Sequence, residues 1–377
     1  MILNSNKELT EILRKLVQIP SENPPGLTKE IVDYLVSEVL REEYGFENRV
    51  ITYKKNNLTL HNLVTKVGSG EKKIILTGHF DVVPAGDPSS WYYPPFSAEI
   101  KDNKLYGRGS VDMKGGLTML IGVMKNISQN ANLLKKYSII FAGTADEELG
   151  MTGSITLSKQ GLMDNAELLV IAEPTNMNIG IAEKGLLWLK LKVFGKAAHG
   201  AMPEKGISSI LGATNIIPNL YNSLDKEVNE ILGSSTLNIG KISGGSLINV
   251  VPEKTELELD FRLTPEQNPD KLIEKLNKLR IDPCSFSFEI LKKLPAFQSN
   301  VNHPFLYNLK NICGTKLIGL PYATDGANLL NQSNPIPFII FGPGDPSIVH
   351  IVNEYIELKS VFKSTKSLTE AIIQTYT

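Results

Sequence analysis

Leu9, Ile12, Leu13, Leu16 and Val17 recur at helical spacing, Asn4 and Ser5 stand where caps would, and Pro20 ends the pattern. An amphipathic opening helix is expected. Past the turn at Pro24, Pro25 and Gly26, the spacing returns in Ile31, Leu35, Val36 and Leu40, with Thr28 as a candidate cap. The apolar runs then shorten. Residues 74–76, 139–142, 168–172 and 337–341 are apolar on both faces, the pattern of strands buried under helices. Residues 115–127 and 154–162 have helical periodicity between them.

The pattern changes after about residue 179. Leu187, Leu189, Leu191 and Val193 alternate with Trp188, Lys190, Lys192 and Phe194, which reads as a half-exposed strand. A helix over residues 207–221, strands over 236–242 and 255–263, a helix over 270–280 and a strand over 285–291 follow. That order, β-α-β-β-α-β, is the ferredoxin-like split motif. The expected fold is therefore α/β: a helix-covered, mostly parallel sheet in a catalytic domain of residues 1–180 and 293–377. An inserted ferredoxin-like α+β domain, a lid or dimerisation module, occupies residues 181–292.

A chain of 377 residues is also longer than one core usually organises. The formal net charge is −1 with no basic stripe, which argues against nucleic acid or an anionic membrane as partner and for a small molecule or peptide. Lys7, Glu8, Glu11, Arg14 and Lys15 interrupt the first 20 residues, so no signal-peptide centre is present, and no later stretch is apolar enough to span a bilayer. Cys284 and Cys313 make no disulfide framework. A cytoplasmic protein with reduced thiols is expected.

Candidate chemistry gathers just after the apolar runs, where ligands bind in open α/β sheets. His79 and Asp81 are two apart, so on extended chain they leave by one face and can meet each other or a metal. Asp112 lies among Gly107, Gly109, Gly115 and Gly116, whose spacing fits neither phosphate-binding fingerprint; a helix-capping role is its plainer reading. Glu147 and Glu148 are adjacent and their side chains diverge, so one could coordinate a metal while the other faces an attacking water. Glu173 and His350 each follow an apolar run and are costly to bury unpaired. Each residue taken singly has an ordinary structural explanation; taken together they favour a metal-dependent hydrolase.

The segments Gly78-His79-Phe80-Asp81-Val82-Val83-Pro84, Tyr106 to Gly109, Asp112-Met113-Lys114-Gly115-Gly116, Asp146-Glu147-Glu148 and His350-Ile351-Val352-Asn353-Glu354 resemble the zinc aminoacylase, desuccinylase and carboxypeptidase family. The resemblance runs along essentially the whole chain. It implies two Zn²⁺, with Co²⁺ or Mn²⁺ as substitutes: His79 and Glu173 on one, Glu148 and His350 on the other, Asp112 bridging. It further implies Glu147 as general base, Asp81 as a carboxylate standing behind His79, and His199 as an oxyanion donor to the neighbouring subunit of a homodimer built through the insert. His61 and His303 match no part of the motif.

The resemblance also places Lys184, Asn249, Arg262 and Thr324 near the substrate. Glu173, rather than aspartate, goes with deacylases and carboxypeptidases, so an N-acyl amino acid with a free carboxylate is expected. Residues 78–116 look closest to desuccinylases. Yet Thr324-Asp325-Gly326 is followed by Ala327 and Asn328 where desuccinylases usually carry arginine. The order of substrates is then succinyl-diaminopimelate, acetylornithine, and a dipeptide or carboxypeptidase substrate. A binding protein without turnover is disfavoured because the base is retained beside the ligands.

Overall fold

The four short apolar runs become four parallel strands at the centre of one sheet. In the computed structural model, which describes residues 6–331 and 335–377, Lys72–His79 lies between Tyr137–Thr144 and Ala166–Ile171, and Phe338–Ile340 adds beyond the latter. The sheet is extended by antiparallel strands that the sequence reading did not anticipate. Glu47–Lys55 and Leu58–Val67 form a hairpin on one side, and Ile179–Glu183 pairs with Phe338–Ile340 on the other. The parallel centre is buried on both faces, as helix-covered strands require.

The opening helix is Asn6–Gln18, and its Leu9, Ile12, Leu13, Leu16 and Val17 are all buried. The capping expected of Asn4 and Ser5 lies outside the described residues. Thr28 does not cap Lys29–Tyr34; its hydroxyl donates instead to the His61 carbonyl at 2.7 Å. Gly115–Ile127 is apolar nearly all round because it is covered on every side: the sheet lies beneath it, and Asn6–Gln18 and Leu358–Tyr376 lie against it. Gly116 has no room for a side chain, since a Cβ there would stand 2.0 Å from the Ala172 carbonyl oxygen. That contact sets the helix start against the end of a parallel strand.

The chain divides into two compact units, Met1–Ile181 with Ser299–Ile318 and Thr324–Thr377, and Ala182–Gln298 with Gly319–Ala323. The short segment 319–323 thus joins the second unit, whereas the sequence pattern predicts all of residues 293–377 in the first. In the second unit Gly185–Phe194, Thr236–Gly244, Lys254–Leu263 and Ser285–Leu294 form an antiparallel sheet in spatial order second, third, first, fourth. With Ser209–Tyr221 and Pro269–Asn277 packed on it, this is the ferredoxin-like arrangement. Leu187, Leu189, Leu191 and Val193 point into its core while Trp188 and Phe194 remain partly exposed, as their alternation requires. Both cysteines are free thiols. No helix among the described residues is long and apolar enough to cross a membrane.

Candidate metal centre and catalytic base

Each of the four parallel strands delivers one part of a cluster at its carboxyl end. His79 is the last residue of its strand, Glu147 and Glu148 follow Tyr137–Thr144, Glu173 follows Ala166–Ile171, and His350 lies on the long loop after Phe338–Ile340. Asp112 arrives from the turn that leads into Gly115–Ile127. It does not cap that helix: no side chain makes a capping bond there, and its carboxylate turns to the histidines instead.

Two donor sets share that carboxylate. Asp112 Oδ1 is 3.1 Å from His79 Nε2, which is 3.6 Å from Glu173 Oε1. Asp112 Oδ2 is 3.2 Å from His350 Nε2, which is 3.3 Å from Glu148 Oε2. The ligand atoms of each set lie within 4.8 Å of one another. Imidazole nitrogens with carboxylate oxygens form a donor set suited to zinc, cobalt or manganese. A further observation fits a cation: Glu148 Oε1 is buried with no hydrogen-bond partner.

The electrostatics point the same way. Burial alone would lower the His79 pKa, but Glu173, Asp112 and Glu147 raise it well above the ordinary value. Bonds to Asp112 and Glu148 push His350 up to about 10. Asp112 is held below the ordinary carboxylate range, since the bonds from His350 and His79 outweigh its burial. Burial raises the Glu173 carboxyl well above its usual range, with Asp112 adding to it. A field of this kind stabilises positive charge between the carboxylates.

Glu147 is half-buried beside the cluster, and its carboxylate is free of the two donor sets. Burial, with the carboxylates of Glu173, Asp325 and Glu148, raises its pKa well above the ordinary value against the opposing effect of His79. A carboxylate of raised proton affinity is what a general base near neutral pH requires.

Asp81 departs from its expected role. His79 Nδ1 lies 2.8 Å from the Asp81 backbone carbonyl, which fixes the ring with its proton on Nδ1, while the Asp81 carboxylate stands 3.8 Å away. That carboxylate accepts the backbone N–H groups of Glu147 at 3.1 Å and Glu148 at 3.2 Å. It holds the loop of Glu147 and Glu148 rather than the ring of His79.

The sequence reading gave no role to Glu354, although it ends the His350 motif. Its buried carboxylate accepts from Arg108 Nη1 at 2.7 Å and from the backbone N–H groups of Gly109, Val111 and Asp112 at 3.0, 2.7 and 3.2 Å. Gly109, at φ +79°, allows that turn, and a Cβ there would meet Val82 Cγ1 at 2.3 Å. Asp325, next to the expected Thr324, is likewise buried. Its Oδ2 accepts the Thr144 hydroxyl at 2.5 Å, whereas Thr324 Oγ1 accepts from Gly326 N. In the sequence, the only signal for either acid is its place in a motif, Glu354 at the end of the His350 segment and Asp325 after Thr324.

The remaining expected residues lie in the second unit. His199 is exposed; its Nδ1 accepts the Ala201 N–H at 3.1 Å, so the neutral ring carries its proton on Nε2 as a donor. Arg262 is paired with Asp260, Nε to Oδ1 at 2.9 Å and Nη2 to Oδ2 at 3.2 Å. Lys184 is buried and donates to the Ser234 carbonyl at 2.5 Å, and Asn249 is exposed. His61 and His303 make structural contacts: His61 bonds Thr28 through its backbone, and His303 Nδ1 caps Pro304–Cys313.

Fold and donor sets together define a metal-dependent hydrolase. A family model described as Peptidase family M20/M25/M40 matches residues 75–374, and the chain belongs to that family, as a hydrolase of amide bonds. It is 29% identical to a Staphylococcus aureus (strain MRSA252) protein named "Probable succinyl-diaminopimelate desuccinylase", covering 98% of both chains. It is 26% identical to an acetylornithine deacetylase of Photorhabdus laumondii over 96% of both. The fold matches the crystal structure of an M20 family metallo-carboxypeptidase from Sulfolobus solfataricus with TM-score 0.77 at 19% identity, covering 99% of both chains.

Removing the Glu354 acceptor by Glu354→Ala leaves Arg108 and three backbone N–H groups buried without it, and should destabilise the protein by about 3–5 kcal/mol. Urea unfolding checks this. A variant as stable as the parent would show that the Asp112 turn does not depend on that carboxylate.

Proposed function

We propose that the chain hydrolyses the amide bond of N-acyl amino acids with a free carboxylate, succinyl-diaminopimelate first, acetylornithine second, and a dipeptide or carboxypeptidase substrate third. The observation that carries this is the pair of donor sets sharing Asp112 with Glu147 beside them. The curated relatives' names support the ranking of acyl substrates, and Glu173 in place of aspartate agrees with it. Ala327 and Asn328 weaken the first choice: where arginine would stand, Asn328 Nδ2 instead bonds Ser154 Oγ at 3.1 Å.

His79 and Glu173 would hold one Zn²⁺, Glu148 and His350 the other, with one oxygen of Asp112 toward each. When bound, such a pair supplies Lewis acidity toward the amide carbonyl and lowers the pKa of a water. Glu147 takes the proton of the attacking water on its carboxylate and returns it to the leaving nitrogen. His199, protonated on Nε2, is the donor for the developing oxyanion, reaching a neighbouring subunit in a homodimer built through the insert. Arg262 and Lys184 receive the substrate carboxylate, the arginine by exchanging its Asp260 partner. Asn249 and Thr324 are further substrate contacts, and the enzyme works in the cytoplasm.

The direct test is hydrolysis of N-succinyl, N-acetyl and dipeptide substrates with added Zn²⁺ or Co²⁺. Release of succinate from N-succinyl substrates is expected to be fastest; no turnover of any member with either metal would refute the proposal. Glu147→Gln should keep two divalent ions per chain by elemental analysis while kcat falls about 100- to 10,000-fold. An active variant would move the base elsewhere. For His199→Ala the expected loss is about 100- to 1,000-fold in kcat with metal content unchanged. A parental rate would return His199 to the surface.

A further inference from the structure

The loop that carries Glu147 and Glu148 is tied down from behind by three buried side chains. Asp81 accepts both backbone N–H groups, Glu147 on Oδ1 and Glu148 on Oδ2. Asp146, immediately before them at φ +68°, places its carboxylate between Lys55 Nζ at 2.5 Å and Thr152 Oγ1 at 2.6 Å. A single amide nitrogen joins the two acids: Asn23 Nδ2 donates to Asp81 Oδ2 at 2.8 Å and to Asp146 Oδ1 at 3.0 Å. Asn23, Asp81 and Asp146 are 3%, 0% and 1% exposed, so bulk water does not substitute for the amide.

Two carboxylates drawn to one point in a weakly polar interior repel one another. A carboxamide nitrogen has two hydrogens and supplies one to each. Aspartate of the same shape would offer acceptors only, serine one hydrogen, and alanine none. The amide is also held in place. Ser21 Oγ donates to the Phe80 carbonyl at 2.7 Å, Val82 N to Ser21 O at 3.0 Å, Asn23 N to Val82 O at 2.8 Å, and Ala85 N to Glu22 Oε1 at 2.7 Å. Segment 21–23 is thereby zipped to the chain that leaves His79. Gly26, at φ +75°, folds over Asn23 so closely that a Cβ would stand 3.0 Å from its Cγ and Oδ1.

We infer that Asn23 is a positioning residue for the loop of Glu147 and Glu148, clamping Asp81 to Asp146 so that the base and the adjoining donor keep one backbone geometry. The inference rests on the reading of Glu147 as the base. It gives a function to an asparagine that touches neither donor set. Misplacing a reacting group by about 1 Å can cost about 100-fold in rate.

Two variants test it, Asn23→Ala and the isosteric Asn23→Asp, read by amide hydrogen exchange over residues 146–149 in the metal-free protein and by kcat and KM after loading with Zn²⁺. Exchange at Glu147 and Glu148 should accelerate about tenfold or more, as a locally loosened loop does. For Asn23→Ala kcat should fall about 100-fold with KM within about threefold. Asn23→Asp should be the worse of the two, because it adds a third carboxylate. A side chain that merely filled space would give the reverse order, the isosteric aspartate being the milder, and that result overturns the inference. So does unchanged exchange at Glu147 and Glu148, whatever the rates do, or accelerated exchange with the parental kcat. If Asn23→Ala does not fold, Asn23→Ser keeps one hydrogen and should fall between the parent and Asn23→Asp in both readouts; parental values for Asn23→Ser together with a mild Asn23→Asp overturn it as well. A parent protein that hydrolyses nothing would remove Glu147 as the base, while the exchange measurement would still decide whether Asn23 holds the loop.

Discussion

Buried carboxylates outside the donor sets must be satisfied by hydrogen bonds, and this protein satisfies two of them through the backbone of the loops that carry its candidate metal donors, with Arg108 adding to one, Glu354. Asp81, two residues past His79, accepts the N–H groups of Glu147 and Glu148; Glu354, four past His350, accepts those of Gly109, Val111 and Asp112. Each tie runs from the loop of one histidine to the loop of an acid. Backbone N–H groups bind charge in place without the rotamer freedom of a lysine, so the backbone at Glu147, Glu148 and Asp112 is held by the protein's own hydrogen bonds. The cluster is thus one cross-braced object, although its members come from strands far apart in sequence.

The sheet that carries this cluster was the most legible part of the chain. Continuous apolar runs announced the four parallel strands, and alternation announced the strands of the insert, because burial on two faces or on one writes directly into the order of residues. The hairpin Glu47–Lys55 and Leu58–Val67 was missed because its faces mix charged and apolar residues without a clean period. The last helix, Leu358–Tyr376, carries Ser364, Thr365, Ser367 and Thr369 in buried positions, and the hydroxyls of Ser364, Thr365 and Thr369 bond back to the preceding turn, which conceals an apolar face.

The centre itself was legible as residue types after strands, which a resemblance could then sort into sets. What could not be read was which atom of a residue does the work. Asp81 was expected to orient His79 with its carboxylate, and the histidine is oriented by the backbone carbonyl of the same residue instead. Asn23 carried no signal at all, since an asparagine before two prolines reads as a turn. Both depend on long-range contacts between buried polar groups, and such contacts leave no periodicity behind.

The carbonyl at His79 has a chemical consequence. A carboxylate partner would add a full negative charge beside an imidazole already facing Asp112 and Glu173, raising its basicity further. The carbonyl orients the ring with only a dipole and leaves Nε2 facing Asp112 and the donor set. The Asp81 carboxylate, 3.8 Å from the ring, is engaged instead by the backbone N–H groups of Glu147 and Glu148. The same aspartate therefore orients His79 with its main chain and holds the loop of Glu147 and Glu148 with its side chain, and a substitution at position 81 acts on the two through different atoms. Asp81→Asn keeps the carbonyl and one acceptor oxygen, so orientation of the ring survives it while one of the two loop bonds is lost.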